Sequence, residues 1–423
     1  MLTYRKYLET YERNNKYNHQ STMEWMEVMR EWKEKEFTEC LIPVSIERSK
    51  QIQANSYLKM GKYPIVDQGK DLIAGWTNEE AAILKKDLPL IIFGDHTRIF
   101  KYVDFPFALG ADGTKLIKPN HNEFSTRFFY YYLHTLDIPA RGYNRHYKLL
   151  KEQSIRCPSF AEQQKIAAVL FKIQKAIEIQ ESIIEKTREL KKSTLHHVFT
   201  HGLRGEKLKE TEIGPMPESW EAARVGKYCQ KPEYGFTESA ITDEIGPKFL
   251  RITDITENGV NWNTVPYCRC SQNLFPKYEL KENDILFARI GATTGKSHIV
   301  KNPPRAIFAS YLIRLRPLYD LVPAYLYDFF NSEAYWDQVN ANKKNNLKGG
   351  VNSSFLSDII FPLPSKSEQM EIANIILTID HKIEIHTAKK STLQDLFKTM
   401  LNKLMTGEIR VKDLDIDVSE VSP

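Results

Sequence analysis

The chain has 423 residues, with 59 Lys and Arg against 54 Asp and Glu, a formal net charge of +5, 42% hydrophobic and 11% aromatic residues. That length predicts two or three domains, and the apolar share excludes wholesale disorder. There is no apolar run long enough to span a bilayer and no apolar leader after Met1, so membrane insertion and secretion are not expected. Cys40, Cys157, Cys229, Cys268 and Cys270 are odd in number and scattered, which points to a reducing cytosol rather than a disulfide framework.

In chain order, residues 1–31 form a charged, aromatic extension expected to be helical. A first globular domain follows over 32–157. Its short β-rich runs, such as Leu90-Ile91-Ile92-Phe93-Gly94, lie between Gly, Asn and Asp turns and predict an α+β domain with a strongly curved sheet. An aromatic helix (Phe128 to Leu133) and the loop Arg141-Gly142-Tyr143-Asn144 close it. Residues 158–213 hold a long helix and a linker, and 214–363 a second domain built in the same order. There Asp284-Ile285-Leu286-Phe287-Ala288, the turn Arg289 to Lys296, an aromatic helix (Tyr325 to Phe330) and the loop Lys348-Gly349-Gly350-Val351-Asn352 return. A second long helix spans 364–411, and an acidic tail 412–423.

The helices repeat closely. Pro158-Ser159-Phe160-Ala161-Glu162-Gln163 matches Pro364-Ser365-Lys366-Ser367-Glu368-Gln369, and at the same spacing Ile177-Glu178-Ile179 returns as Ile383-Glu384-Ile385. Each copy has the Ser-x-x-Glu spacing of a capping box, in which the hydroxyl caps a backbone N–H and the carboxylate reaches back to the cap. One seam runs through Ile166, Leu170, Ile173, Ile177, Gln180, Ile184, Thr187, Lys191, Thr194 and Val198. The other runs through Ile372, Ile376, Ile379, Ile383, His386, Lys390, Leu393, Phe397, Met400 and Leu404. Steps of four and three without Gly or Pro are the signature of a coiled coil, here roughly 60 Å long. The two helices are expected to pair antiparallel about an internal pseudo-two-fold axis.

Local matches to catalytic motifs fail on spacing. Gly291-Ala292-Thr293-Thr294-Gly295-Lys296-Ser297 has three residues between its glycines where a phosphate loop needs four. Asn302-Pro303-Pro304 is followed by Arg305 instead of an aromatic, with no glycine-rich cofactor strand. His197 and His201 lie one turn apart at a helix end without a third ligand, and Cys268-Arg269-Cys270 lacks a second close pair, so no metal is expected. What remains is binding chemistry. Arg141, Asn144, Arg145 and Lys148 cluster in the last loop of the first domain, and Lys343, Lys344, Lys348 and Asn352 in that of the second. Lys and Arg neutralise phosphates, while Arg and Asn read guanine and adenine edges.

From about Trp32 to Val411 the chain closely resembles the specificity subunit of type I restriction-modification systems. The resemblance rests on the alternation of domains and repeated helices and on several motifs. These are Tyr63-Pro64-Ile65-Val66-Asp67-Gln68-Gly69 with Ile73-Ala74-Gly75-Trp76, Pro217-Glu218-Ser219-Trp220, Tyr234-Gly235-Phe236-Thr237, and Gly246-Pro247-Lys248-Phe249-Leu250-Arg251 running on to Ile255. It implies two target recognition domains, each reading one half of a split, asymmetric sequence in double-stranded DNA, and helices that set their spacing while docking two modification subunits. It adds Tyr234, Thr237, Arg251, Arg289 and Lys296 to the candidate DNA contacts. It further implies restriction subunits as partners, a cytoplasmic location and no catalysis in this chain. S-adenosylmethionine, ATP and Mg2+ would belong to partner subunits, with no cofactor here. The alternatives are a coiled-coil scaffold whose domains bind protein, and an enzyme acting alone, which would require cofactor motifs that the sequence lacks.

Overall fold

The computed structural model describes residues 32–421 except 45, 48, 49, 111, 112, 141, 143, 144, 257, 258 and 346–349, with backbone alone for 344 and 345. The helix expected over 1–31 lies outside the described residues. The chain divides into two compact units, Met1–Gln180 with Lys389–Pro423, and Glu181–Ala388.

The strands of the first unit are β1 (Lys33–Glu36), β2 (Tyr63–Val66), β3 (Gly75–Thr77), β4 (Ile83–Leu84), β5 (Leu90–Gly94), β6 (Phe100–Val103), β7 (Phe107–Leu109), β8 (Thr114–Ile117) and β9 (Ser154–Cys157). Its helices are α1 (Thr126–Leu133), α2 (Tyr147–Lys151) and the first part of α3 (Phe160–His201). The curved sheet takes the form of short ladders. β5 lies between β6 and β8, β2 and β7 run parallel, and β1 pairs antiparallel with β9, so the two ends of the domain meet. Phe93, Phe128, Phe129, Ile155, Ile166 and Leu170 form one core with Leu404, Val411 and Val421. The tail residues thus lie along the start of α3, where Lys165 and Lys172 donate to the carbonyls of Lys412 and Asp417.

The second unit repeats this plan. Its strands are β10 (Leu208–Thr211), β11 (Gly214–Pro217), β12 (Glu221–Arg224), β13 (Glu233–Tyr234), β14 (Lys248–Leu250), β15 (Ile255–Thr256), β16 (Gly259–Val260), β17 (Ile285–Ala288), β18 (Ser297–Ile299), β19 (Ala306–Phe308), β20 (Leu312–Leu315) and β21 (Ile360–Leu363). Its helices are α4 (Val225–Tyr228), α5 (Phe275–Tyr278), α6 (Pro323–Phe329), α7 (Glu333–Asn345), α8 (Ser353–Asp358) and the first part of α9 (Lys366–Met405). β17 lies between β18 and β20, β14 and β19 run parallel, and β12 closes on β21, as β5, the β2–β7 pair and the β1–β9 pair do in the first unit, while the β10–β11 and β15–β16 hairpins are additions of the second.

The long helices pair antiparallel. In the first unit the beginning of α3 packs with the end of α9, through Ile166 and Leu170 against the cluster of Leu401 and Leu404. In the second unit the end of α3 packs with the beginning of α9, where Leu195 and Val198 share a core with Ile372 and Ile376. Lys191 there donates to both carboxylate oxygens of Asp380 at 2.6 and 2.7 Å. Every seam position is buried or half-buried, while Ile179, Leu190, Ile385 and Leu396 off the seam are exposed. The seam ends do more than face the other helix, since Ile166 and Ile372 enter domain cores and Phe397 packs edge-on to Tyr131 of α1. At the end of α3 the chain turns through Gly202 at φ +63°, where a Cβ would lie 2.9 Å from Pro217 and from Trp220.

Only half of the expected capping box forms. The hydroxyls of Ser159 and Ser365 accept from Glu162 N and Glu368 N, each at 3.3 Å. The carboxylates turn away from the caps. Glu162, 2% exposed, receives Nε and Nη2 of Arg410 at 2.7 and 2.9 Å. Glu368 accepts from Leu203 N at 3.0 Å and from the Trp220 indole at 3.2 Å. A buried carboxylate needs charged or N–H partners, and these came from distant segments. The neighbouring glutamines act alike: Gln163 Oε1 accepts from Ser125 N and Gln369 Oε1 from Val322 N, both at 2.9 Å. Ser125 and Val322 are the N-cap residues of α1 and α6. Each Glu-Gln pair therefore ties a long helix both to the aromatic helix of its unit and to the segment that follows the opposite helix.

Candidate nucleic-acid interface

In the second unit the turn from Arg289 to Lys296 joins β17 to β18. It is closed by Ala288 N to Lys296 O and Gly295 N to Ala288 O, both 2.9 Å, and it is braced from below by the Tyr335 hydroxyl on Gly295 O at 2.7 Å. Residues 297–299 are strand, so no helix N-terminus follows the glycines to cradle a phosphate. Arg289 is held on both sides of its peptide: its N–H donates to Tyr311 O at 3.0 Å and its carbonyl accepts from Val351 N at 3.2 Å. Its guanidinium carbon lies 4.9 Å from the centre of the Tyr234 ring. Tyr234 reaches this place because Gly235 passes against β19, where a Cβ would sit 2.2 Å from Ala309 O. The Tyr234 hydroxyl in turn accepts from Ser353 N at 3.2 Å. Tyr234, Ile290 and Tyr311 are exposed, giving a cationic and aromatic surface built from three separate segments.

The other candidates of this unit differ in what they are free to do. Lys296 and Thr237 are exposed, and Lys343 donates to Thr294 O at 3.3 Å, joining α7 to the same turn. Asn352 caps α8, with its Oδ1 accepting from Phe355 N at 2.8 Å, so part of its acceptor capacity is committed to the helix. Arg251 is clasped by Asp254 through Nε and Nη2 at 3.0 and 2.8 Å and closes its own turn. Lys348 and the side chain of Lys344 lie outside the described residues. A separate cleft of about 450 Å³ is lined by Arg269, Cys270, Ser271, Gln272 and Arg305, with Arg305 laid over the Phe275 ring.

The first unit repeats the clasp with different side chains. Asp95 takes the place of Arg289 after the central strand, and its carbonyl accepts from His146 N at 2.9 Å. Its side chain is buried and accepts from Tyr147 N at 2.7 Å. On the same turn Arg98 donates Nη1 to Ile138 O at 2.7 Å. Arg145 and Lys148 are exposed beside it, whereas Arg141 and Asn144 lie outside the described residues. Lys115 and Lys151 stand 5.9 and 5.2 Å from the Tyr147 ring. Neither lysine was singled out in the sequence, and neither was Tyr311; only their meeting with loop residues in space marks them.

Titratable groups beneath these surfaces are tuned by burial. Lys101 under the first turn donates to Asp71 O and lies 3.7 Å from Asp67, yet burial holds it below the ordinary lysine value. Burial lowers His298 on β18 to about 4 and raises the Cys268 thiol to about 12. Asp328 on α6, facing Lys191 and Asp380, is pushed well above the usual carboxylate range by burial. Among the described residues no three His, Cys, Asp or Glu side chains form a metal-ligand group, and no helix is long and apolar enough to cross a membrane.

The profile of the type I restriction modification DNA specificity domain matches residues 29–188 and 217–395, one copy over each domain and adjoining helix. The chain belongs to that family. The MjaVIII specificity subunit of Methanocaldococcus jannaschii is 27% identical over 283 residues, 63% of this chain and 65% of its own length. The chain thus spans just under two thirds of that relative. The EcoR124I/EcoR124II specificity subunit of Escherichia coli is 25% identical over 352 residues, 78% of this chain and 82% of its own. In fold, the type I S subunit from M. genitalium covers 88% of this chain and 96% of its own at a TM-score of 0.60 and 16% identity. The likeness in fold therefore extends over most of this chain, its two domains and long helices included.

Proposed function

We propose that this chain is the DNA-reading subunit of a type I restriction-modification complex. Its two recognition domains, 32–157 and 214–363, each read one half of a split, asymmetric target in double-stranded DNA. The helices within 158–213 and 364–411 space the domains and dock two modification subunits, with restriction subunits joining them in the cytoplasm. The chain itself is non-catalytic, and S-adenosylmethionine, ATP and Mg2+ act in its partners. The observation that carries this reading is the repeated clasp, His146 N to Asp95 O and Val351 N to Arg289 O. In the first unit it sets the exposed Arg145 and Lys148 beside Tyr147 and the turn, and in the second it sets Arg289 of the turn over the Tyr234 ring, which supports the combination of phosphate-neutralising and base-facing groups that DNA readers use. Ile179, Leu190, Ile385 and Leu396, exposed apolar residues off the seam, support docking, since they recur at one spacing in both helices.

The test is to map methylated bases in cells carrying this chain with its modification subunits. Exchanging residues 32–157 for those of a relative should change one half of the target and leave the other intact. Inserting a heptad after both Ile179 and Ile385 should lengthen only the gap, by about three base pairs for about 10 Å of added helix. A change in both halves on domain exchange would contradict one domain per half-site. Absence of any sequence-selective methylation, with protein partners captured instead, would favour a protein-binding scaffold.

A further inference from the structure

We propose that Arg289 reads a guanine in the half-site taken by the second domain; this rests on the DNA-reading function proposed above. Three features set this arginine apart. No carboxylate among the described residues pairs with it, unlike Arg251 with Asp254 or Arg316 with Asp284. Its peptide is pinned at both N–H and C=O, so the side chain starts from a fixed point. The Tyr234 ring supports its guanidinium at 4.9 Å, and that ring is itself held by Ser353 N. A guanidinium over an aromatic face is restrained, and the rigid fork keeps its N–H groups in one plane. An exposed edge of that fork offers two parallel donors, the pattern that guanine accepts through O6 and N7 in the major groove. Lys296 and Lys343 at the other end of the turn are flexible point charges suited to phosphates, which hold the protein on the duplex without selecting a base.

Among the described residues, the first domain lacks this device at the same place. Asp95 there is buried and held to Tyr147 N, and Arg98 donates to Ile138 O. The inference is therefore confined to one half of the target.

Methylation mapping of the assembled complex with Arg289→Ala and Arg289→Lys tests it. The backbone bonds of residue 289 do not involve its exposed side chain, so both variants keep the turn, and thermal melting verifies this. The wild-type target should contain a guanine in the half that persists when residues 32–157 are exchanged. Arg289→Ala should reduce preference for that guanine about 5–150-fold, the equivalent of one bidentate contact, and leave every other position unchanged. Arg289→Lys should keep a weaker preference at the same position. The inference is overturned if that half contains no guanine, or if Arg289→Ala lowers methylation uniformly over an unchanged target. In both cases the wild-type complex still methylates a bipartite sequence and the DNA-reading function stands. If the wild-type complex selects no sequence at all, it is that function which fails.

Discussion

Replacing Glu162 with Gln isolates the ion pair that fastens the segment after α9 to the start of α3. The carboxylate is 2% exposed and Arg410 keeps 17% of its side chain in water, with two hydrogen bonds of 2.7 and 2.9 Å between them. Removing one member of a buried pair leaves the other charge uncompensated and costs about 3–5 kcal/mol. The residual hydration of Arg410 places this site at the lower end, about 3 kcal/mol. For a unit of this size each kcal/mol lowers the melting temperature by about 2–4 °C, so Glu162→Gln should bring the first unit's transition down by about 6–12 °C. Calorimetry of the full chain reads this directly, with Glu371→Gln as the comparison. Glu371 also pairs with an arginine, Arg204, but both side chains are nearly half exposed, so that variant should melt with the wild type. The double variant Glu162→Leu with Arg410→Met should recover most of the loss, because an apolar pair leaves no buried charge behind. Equal, small shifts for Glu162→Gln and Glu371→Gln would refute the account.

Two further outcomes follow from the second unit. His298 is held neutral by burial, with its pKa at about 4 in the folded state against about 6.5 when unfolded. The unfolded chain therefore binds the extra proton first, and stability is complete above about pH 6.5 and falls as pH drops towards 4. Denaturant titrations from pH 7 to 4 should show this loss, and His298→Gln should reduce it by up to about 1.4 kcal/mol per pH unit. Gly202→Ala should destabilise this unit more than Gly205→Ala, since both adopt positive φ but only at 202 would the Cβ strike Pro217 and Trp220; matching melting curves for the two would show that the packing there yields.

The helix pair was legible in the sequence because its period runs unbroken over forty residues and because the pattern occurs twice. Local pattern reaches less far in the domains, whose strands are two to five residues long and include the parallel pairs of β2 with β7 and β14 with β19. No turn signal announces a parallel partner 43 or 58 residues away. Side-chain roles were hardest to foresee wherever a residue had two suitable partners. Glu162 and Glu368 fitted a capping box, but Arg410 and Trp220 compete for them from far along the chain. Asn352 looked like a base-reading amide, and half of that amide caps a helix. Arg289 and Tyr234 came from separate motifs, and their stacking depends on β13 pairing with β20 beside β17.

The division of the chain into units has a consequence for synthesis. The second unit is continuous in sequence from Glu181 to Ala388, whereas the first needs residues from Lys389 onward to complete it. Leu401, Leu404, Met405, Val411 and Val421 form one wall of the first unit's core. During vectorial synthesis the second unit can close while the first still waits, with Ile166 and Leu170 uncovered, for the final part of α9 to leave the ribosome. A nascent chain stopped just before Lys389 would carry all of the second unit and an open first core, which makes the domain made first the last to finish folding.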